Sequence, residues 1–161
     1  MMVYHGSLEI VAHPAILRPN RRLDYGEGFY TTTSEKQAKE WVERRMFEQY
    51  ANAGYINVYE FDDSAMPSLK TLIFPEPSRE WAEFVLENRT KRNFTHDYDL
   101  VYGPVANDRV YLQFGLYESG VISIETLIRE LKTYKLVDQY LFHTEKALAN
   151  LKFIESKKIL K

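Results

Sequence analysis

No cysteine occurs among the 161 residues. That excludes a disulfide framework and any zinc site built on thiolates. Neither sign of charge dominates, since 21 Lys and Arg stand against 23 Asp and Glu, a formal net of −2. With a sequence pI of about 6.1, the chain has no basic footprint for general nucleic-acid binding. No apolar run approaches the roughly 18 residues of a membrane span. Met1 to Tyr4 has neither the positive nor the apolar region of a cleavable signal. A soluble, cytoplasmic protein is expected, with export through a machine that reads no such signal left open. Internal repeats and low-complexity tracts are also missing, so residues 1–161 read as a single domain. What is present is a hydrophobic content of 45% and an aromatic content of 14%. This is a globular composition, and a chain of this length buries roughly two-thirds of its unfolded surface.

Other chemistries lack their signatures. The four histidines, His5, His13, His96 and His143, show no metal-ligand spacing, and no metal site is expected. Gly26 and Gly28 lack the third glycine and the preceding apolar strand of a dinucleotide fingerprint. Neither a nucleophile elbow nor a phosphate-binding P-loop occurs. His96, Asp97 and Asp99 read as alternating polar residues entering a strand.

Local patterns predict an α+β domain. Residues 1–5 read as a strand, and Pro14 and Pro19 bracket a short turn or helical piece. The polar stretch from Arg21 to Glu27 reads as a loop, and Phe29 to Thr32 as a strand. Ser34 with Gln37 is a capping-box pattern opening a helix from about Glu35 to Tyr50. Its apolar positions Ala38, Trp41, Val42 and Met46 recur at helical spacing, and Gly54 is read as its stop. Ile56 to Phe61 alternates as a half-buried strand. Trp81 to Asn88 after Ser78 reads as a helix, and Tyr98 to Val105 as a strand ending in Gly103-Pro104. Ser123 opens a helix with Ile124, Leu127, Ile128 and Leu131 as its buried stripe. Gln139 to His143 reads as a strand, followed by a helix capped at Thr144 and running to about Leu151. Four or five strands that do not alternate one-for-one with helices argue against a doubly wound sheet.

One constellation stands out. The strand Val3-Tyr4-His5-Gly6-Ser7 is followed by Gly26-Glu27-Gly28-Phe29-Tyr30-Thr31-Thr32, and Trp41 lies eleven positions beyond Tyr30. Taken by type alone, His5 is a hydrogen-bonded structural histidine, while Tyr30 and Trp41 are core or half-core aromatics. As a set they carry more. The order resembles the NAD-binding half of the ADP-ribosyltransferases, in the branch shared by diphtheria toxin and the poly(ADP-ribose) polymerases. The chain looks like one of the small bacterial families of that fold, often encoded beside toxin–antitoxin or regulatory partners.

The resemblance implies split antiparallel β-sheets with flanking helices and a central NAD cleft. It implies that His5 hydrogen-bonds a ribose hydroxyl and that Gly6 and Ser7 hold the nicotinamide carboxamide. Tyr30 and Trp41 would sandwich the cationic nicotinamide ring, which gains stacking and cation–π attraction. The resembled families place a glutamate at the start of a late strand, and Gln139 in Val137-Asp138-Gln139-Tyr140-Leu141-Phe142 stands at that position. That departure argues for transfer of a single ADP-ribose, with Gln139, His5 and Tyr30 at the reacting end. NAD is then the substrate, and the acceptor is a protein, a nucleic acid or a small molecule. Asp138 is expected on the opposite strand face, with Asp108 and Glu145 as alternative carboxylates. Asp24, Arg21 and Arg22 read first as a solvated loop and second as adenosine or phosphate contacts. Glutamine and glutamate being nearly isosteric, Gln139→Glu is expected to keep the fold and, by adding charge beside the oxocarbenium ion, to raise NAD hydrolysis, with Gln139→Ala falling below wild type. A non-catalytic module binding NAD or ADP-ribose, and an interaction domain of a toxin–antitoxin-like pair, are the alternatives.

Overall fold

The computed structural model describes residues 1–17, 23–91 and 94–161. Pro19, Arg21 and Arg22 lie outside the described residues. The first sheet is β1 (Met2–Ser7), β3 (Ala53–Phe61) and β7 (Leu151–Leu160), in the order β1-β3-β7 and antiparallel throughout. The second contains β2 (Phe29–Thr31), β6 (Asp138–Phe142), β5 (Leu100–Pro104) and β4 (Thr71–Ile73), in that spatial order. The expectation of purely antiparallel sheets needs correcting at one edge. β4 runs parallel to β5, because α2 (Arg79–Thr90) lies between them in sequence and provides the crossover a parallel pair needs.

The two sheets pack face to face. Val3, Tyr59 and Phe61 of the first meet Phe29, Leu100, Tyr140 and Phe142 of the second in one buried cluster. On the outer side of the first sheet lies α1 (Glu35–Gln49), burying Ala38, Val42 and Met46 against Ile56 and Val58. The outer side of the second is covered by α2, α3 (Asp108–Glu118) and α4 (Ile124–Leu131), through Trp81, Val85, Val110, Phe114 and Leu127. A one-turn helix α5 (Glu145–Leu148) precedes β7. Among the described residues, no helix is long and apolar enough to cross a membrane.

β3 shows what this layering does to a strand. Its sequence alternates, yet Ile56, Asn57, Val58 and Tyr59 are all buried, since α1 takes one face and the second sheet the other. The half-buried expectation fails for that reason. α1 ends on Tyr50, in the left-handed region at φ 55°, not on Gly54. Gly54 belongs to β3, where a Cβ would stand 2.3 Å from Val42 Cγ1, so it admits the helix instead of stopping it.

Candidate functional site

Among the described residues, one backbone bridge joins the two sheets. Tyr4 and Thr32 exchange backbone hydrogen bonds of 2.8 and 2.9 Å, an isolated bridge between β1 and the end of β2. His5, the next residue, stacks its ring on Phe29 at 4.3 Å and holds Nδ1 2.7 Å from the Tyr30 carbonyl oxygen. A carbonyl only accepts, so Nδ1 carries the proton. Burial lowers the pKa of the imidazole, against the opposing pull of that backbone bond. The ring is therefore neutral near pH 7, and Nε2 keeps a lone pair able to accept from a hydroxyl.

The segment around His5 is pinned by a buried amide. Asn57, opposite His5 in the ladder, donates from Nδ2 to the carbonyls of His5 (3.3 Å) and Glu9 (3.1 Å). Its Oδ1 accepts from Val11 N at 2.9 Å and Ser156 Oγ at 2.5 Å. Ser7 Oγ accepts from Glu9 N at 3.1 Å, which turns the chain and leaves the hydroxyl hydrogen to donate elsewhere. Gly6 is backed by α1. A Cβ there would meet Ala38 O at 2.6 Å, Val42 Cγ2 at 2.8 Å and Trp41 Cδ1 at 3.2 Å. Trp41 thus lies against Gly6, half-buried.

Tyr30 and Gln139 share a face of the second sheet. In the β2–β6 ladder Tyr30 opposes Leu141, two residues from Gln139 and hence on the same side. Between them runs the turn Asp24-Tyr25-Gly26, where Gly26 has φ 87°. Tyr30 Oη donates to Gly26 O at 2.5 Å and accepts from Tyr25 N at 3.0 Å. Burial raises the Tyr30 phenol well above its ordinary range, so it stays a neutral donor. Gln139 Nε2 donates to Asp24 Oδ2 at 3.1 Å and to Pro104 O at 3.2 Å. Tyr25 Oη donates to the same Pro104 carbonyl at 2.8 Å and accepts from Trp81 Nε1 at 2.9 Å. Gly103 makes room, since a Cβ there would lie 2.4 Å from Tyr25 Oη.

Asp24 is 8% exposed, and donors surround its carboxylate. Besides Gln139, Ala106 N donates to Oδ2 at 3.0 Å and Tyr111 Oη donates to Oδ1. Arg89 Nη1 is 3.6 Å from Oδ1, with its guanidinium 4.3 Å over the Tyr111 ring. Burial first, then the Asp24 charge, push the Tyr111 phenol upward. Close by, Asn88 Oδ1 is buried without a hydrogen-bond partner among the described residues, 3.1 Å from where a Gly26 Cβ would sit.

Asp138 takes the opposite face, as strand alternation requires. Its Oδ1 accepts from Thr32 Oγ1 (3.2 Å) and Thr33 N (2.9 Å), its Oδ2 from Thr33 Oγ1 (2.5 Å) and Tyr102 Oη (3.2 Å). It fastens the link from β2 to α1. Asp108 and Glu145 sit exposed in the first turns of α3 and α5. Of the residues singled out by sequence, His5 meets Tyr30 at its main-chain carbonyl, while the His5 ring packs on Phe29, on the sheet face opposite to the Tyr30 side chain. Tyr30 and Gln139 are linked through the Asp24–Gly26 turn, and Trp41 joins Gly6. Among the described residues, no group of three His, Cys, Asp or Glu is placed to hold a metal. Sequence reasoning passed over Asn57, Tyr111 and Arg89 and treated Asp24 as solvent-facing. The one available hint was Asp24's position next to the apolar Leu23 and Tyr25.

A family model described as "Protein of unknown function (DUF3990)" matches residues 1–153. No curated protein and no solved structure matches the chain significantly. With that match spanning nearly its whole length, the chain belongs to the DUF3990 family.

Proposed function

We propose that the chain is an ADP-ribosyltransferase that moves one ADP-ribose from NAD to an acceptor and releases nicotinamide. The observation that carries this reading is the hydrogen bond from His5 Nδ1 to the Tyr30 main-chain carbonyl, with the Tyr30 and Gln139 side chains on one sheet face. On the ADP-ribosyltransferase-like arrangement, NAD lies in a cleft where the sheets part beyond the Tyr4–Thr32 bridge. His5 Nε2 accepts from a ribose hydroxyl, Gly6 and Ser7 hold the carboxamide, and Tyr30 and Trp41 flank the nicotinamide ring. The bond broken joins C1′ of the ribose to the ring nitrogen, and its electron pair leaves with nicotinamide. The acceptor then bonds to C1′ and loses a proton. The transition state is oxocarbenium-like, and a hydrogen-bond acceptor beside the 2′-hydroxyl stabilises it. Gln139 takes that place.

The amide at residue 139 favours a second reading, a module that binds NAD or ADP-ribose without cleaving it. Calorimetry with NAD and transfer of label from radiolabelled NAD in whole lysate separate the two. Labelled acceptor, protein or nucleic acid, supports the transferase. Tight binding without nicotinamide release supports the module. Absence of both leaves an interaction domain, as in a toxin–antitoxin-like pair.

A further inference from the structure

We propose that Asp24 supplies the negative charge of this reaction centre and acts through Gln139 as a positioning residue. The proposal rests on the transferase reading. Cleavage with oxocarbenium character needs anionic stabilisation near the ribose, and on the face shared with Tyr30 β6 offers the neutral amide of Gln139, its carboxylate Asp138 lying on the opposite face. A carboxylate stands directly behind that amide, at 3.1 Å from Nε2. The second Nε2 hydrogen goes to Pro104 O at 3.2 Å. With both hydrogens committed, the amide orientation is fixed and Oε1 is turned away from Asp24 and Pro104. An amide donating to a carboxylate is polarised, which enriches its oxygen in electron density. Oε1 then accepts from the 2′-hydroxyl, and the Asp24 charge is felt across one hydrogen bond. Tyr111 Oη, Ala106 N and Arg89 hold the carboxylate in place from its other sides.

This pairing also explains why residue 139 is not an acid. A glutamate there would set a carboxylate oxygen about where Nε2 now lies, against Asp24 Oδ2. Two carboxylates that close cannot both ionise, and one takes up a proton. The expectation that Gln139→Glu simply raises NAD hydrolysis therefore changes once Asp24 is in view.

The competing possibility is that Asp24 only ties its loop to the sheet. Moving the charge separates the two. Nicotinamide release per folded molecule and the NAD dissociation constant are measured for wild type, Asp24→Asn, Gln139→Glu and the double variant. Asp24→Asn should release nicotinamide at least tenfold more slowly while its NAD affinity stays within about threefold. The double variant, with one carboxylate and one amide exchanged in place, should recover most of that loss. Gln139→Glu alone should add an ionisation to its pH–rate profile above the ordinary carboxylate range, absent from wild type and from the double variant. A loop tie predicts no recovery and no new ionisation. Equal turnover by wild type and Asp24→Asn, or a double variant no faster than Asp24→Asn, overturns the proposal and leaves the transferase reading standing. Should Asp24→Asn not fold, the Gln139→Glu profile decides, and a profile unchanged from wild type overturns the proposal. Wild type that neither binds nor cleaves NAD overturns both.

Discussion

Gly6 and Trp41 show how one contact serves packing and, on our reading, ligand binding. A methyl at residue 6 would press on the Ala38 carbonyl at 2.6 Å, which is backbone and cannot swing aside. Gly6→Ala should therefore destabilise the protein by about 1–3 kcal/mol through overpacking between α1 and β1. Urea denaturation of the folded variant measures this, and a loss below about 0.5 kcal/mol would mean that α1 shifts freely. Trp41, against the same glycine, is a separate test. Trp41→Ala should weaken NAD binding by roughly 1–3 kcal/mol, from lost stacking and burial. Fluorescence or calorimetric titration reads it, and an unchanged affinity assigns the ring to packing alone.

At the scale of elements, the end of α1 is the place where local sequence and conformation conflict. Tyr50 adopts φ 55° with its side chain 87% exposed, and the Ala51 amide closes on Met46 O at 2.9 Å. A left-handed residue with a Cβ carries a steric cost that glycine avoids. Tyr50→Gly should raise stability by about 0.5–1 kcal/mol, seen as a higher urea midpoint at unchanged slope. Four helix starts were readable because each carries its own cap. Ser34, Ser78, Ser123 and Thr144 all accept from the amide three residues on. β7 was not readable. Its stretch Glu155-Ser156-Lys157-Lys158 is that of a solvated edge strand, and it becomes a strand only by pairing along all of β3. α3 was missed although Asn107 caps it in the same way, accepting from Val110 N, because Gly115 interrupts its apolar pattern. In the candidate site, His5, Tyr30 and Gln139 were singled out by type and spacing alone. Asp24 was not, because its burial is made by Tyr111, Ala106 and Gln139, which lie between 82 and 115 residues away.

Across the whole molecule, two half-buried histidines couple the architecture to pH. His5 bonds to Tyr30 O across the junction of the sheets. His96 donates from Nε2 to Tyr25 O at 2.7 Å and accepts at Nδ1 from Tyr98 N at 3.3 Å. His143 lies against His96 in a tilted pair with centroids 4.1 Å apart, its ring nitrogens facing Glu27 O and His96 O. Burial lowers the pKa of both His5 and His96, and the neighbouring His143 adds to the effect at His96. Above the ordinary value of 6.5 both are neutral whether folded or not, and their contribution is fully present. As pH falls below it, the unfolded chain binds protons first, so the native state loses ground until the lowered folded values are passed. The slope is at most about 1.4 kcal/mol per pH unit for each histidine. Asp97, whose carboxyl the Lys70 ammonium holds below its usual range, loses its contribution only in more acidic solution. Unfolding free energies measured by urea at pH 7.5 and 5.0 should therefore differ. The difference should shrink in His5→Asn/His96→Gln, whose amides keep the Nδ1 and Nε2 donors without titrating. A wild type equally stable at both values would show that neither ring resists protonation in the folded state. The same proton also takes the lone pair from His5 Nε2, the acceptor assigned to the ribose hydroxyl. NAD affinity should then fall over the same acidic interval in wild type, and calorimetry across that interval checks whether stability and binding titrate together.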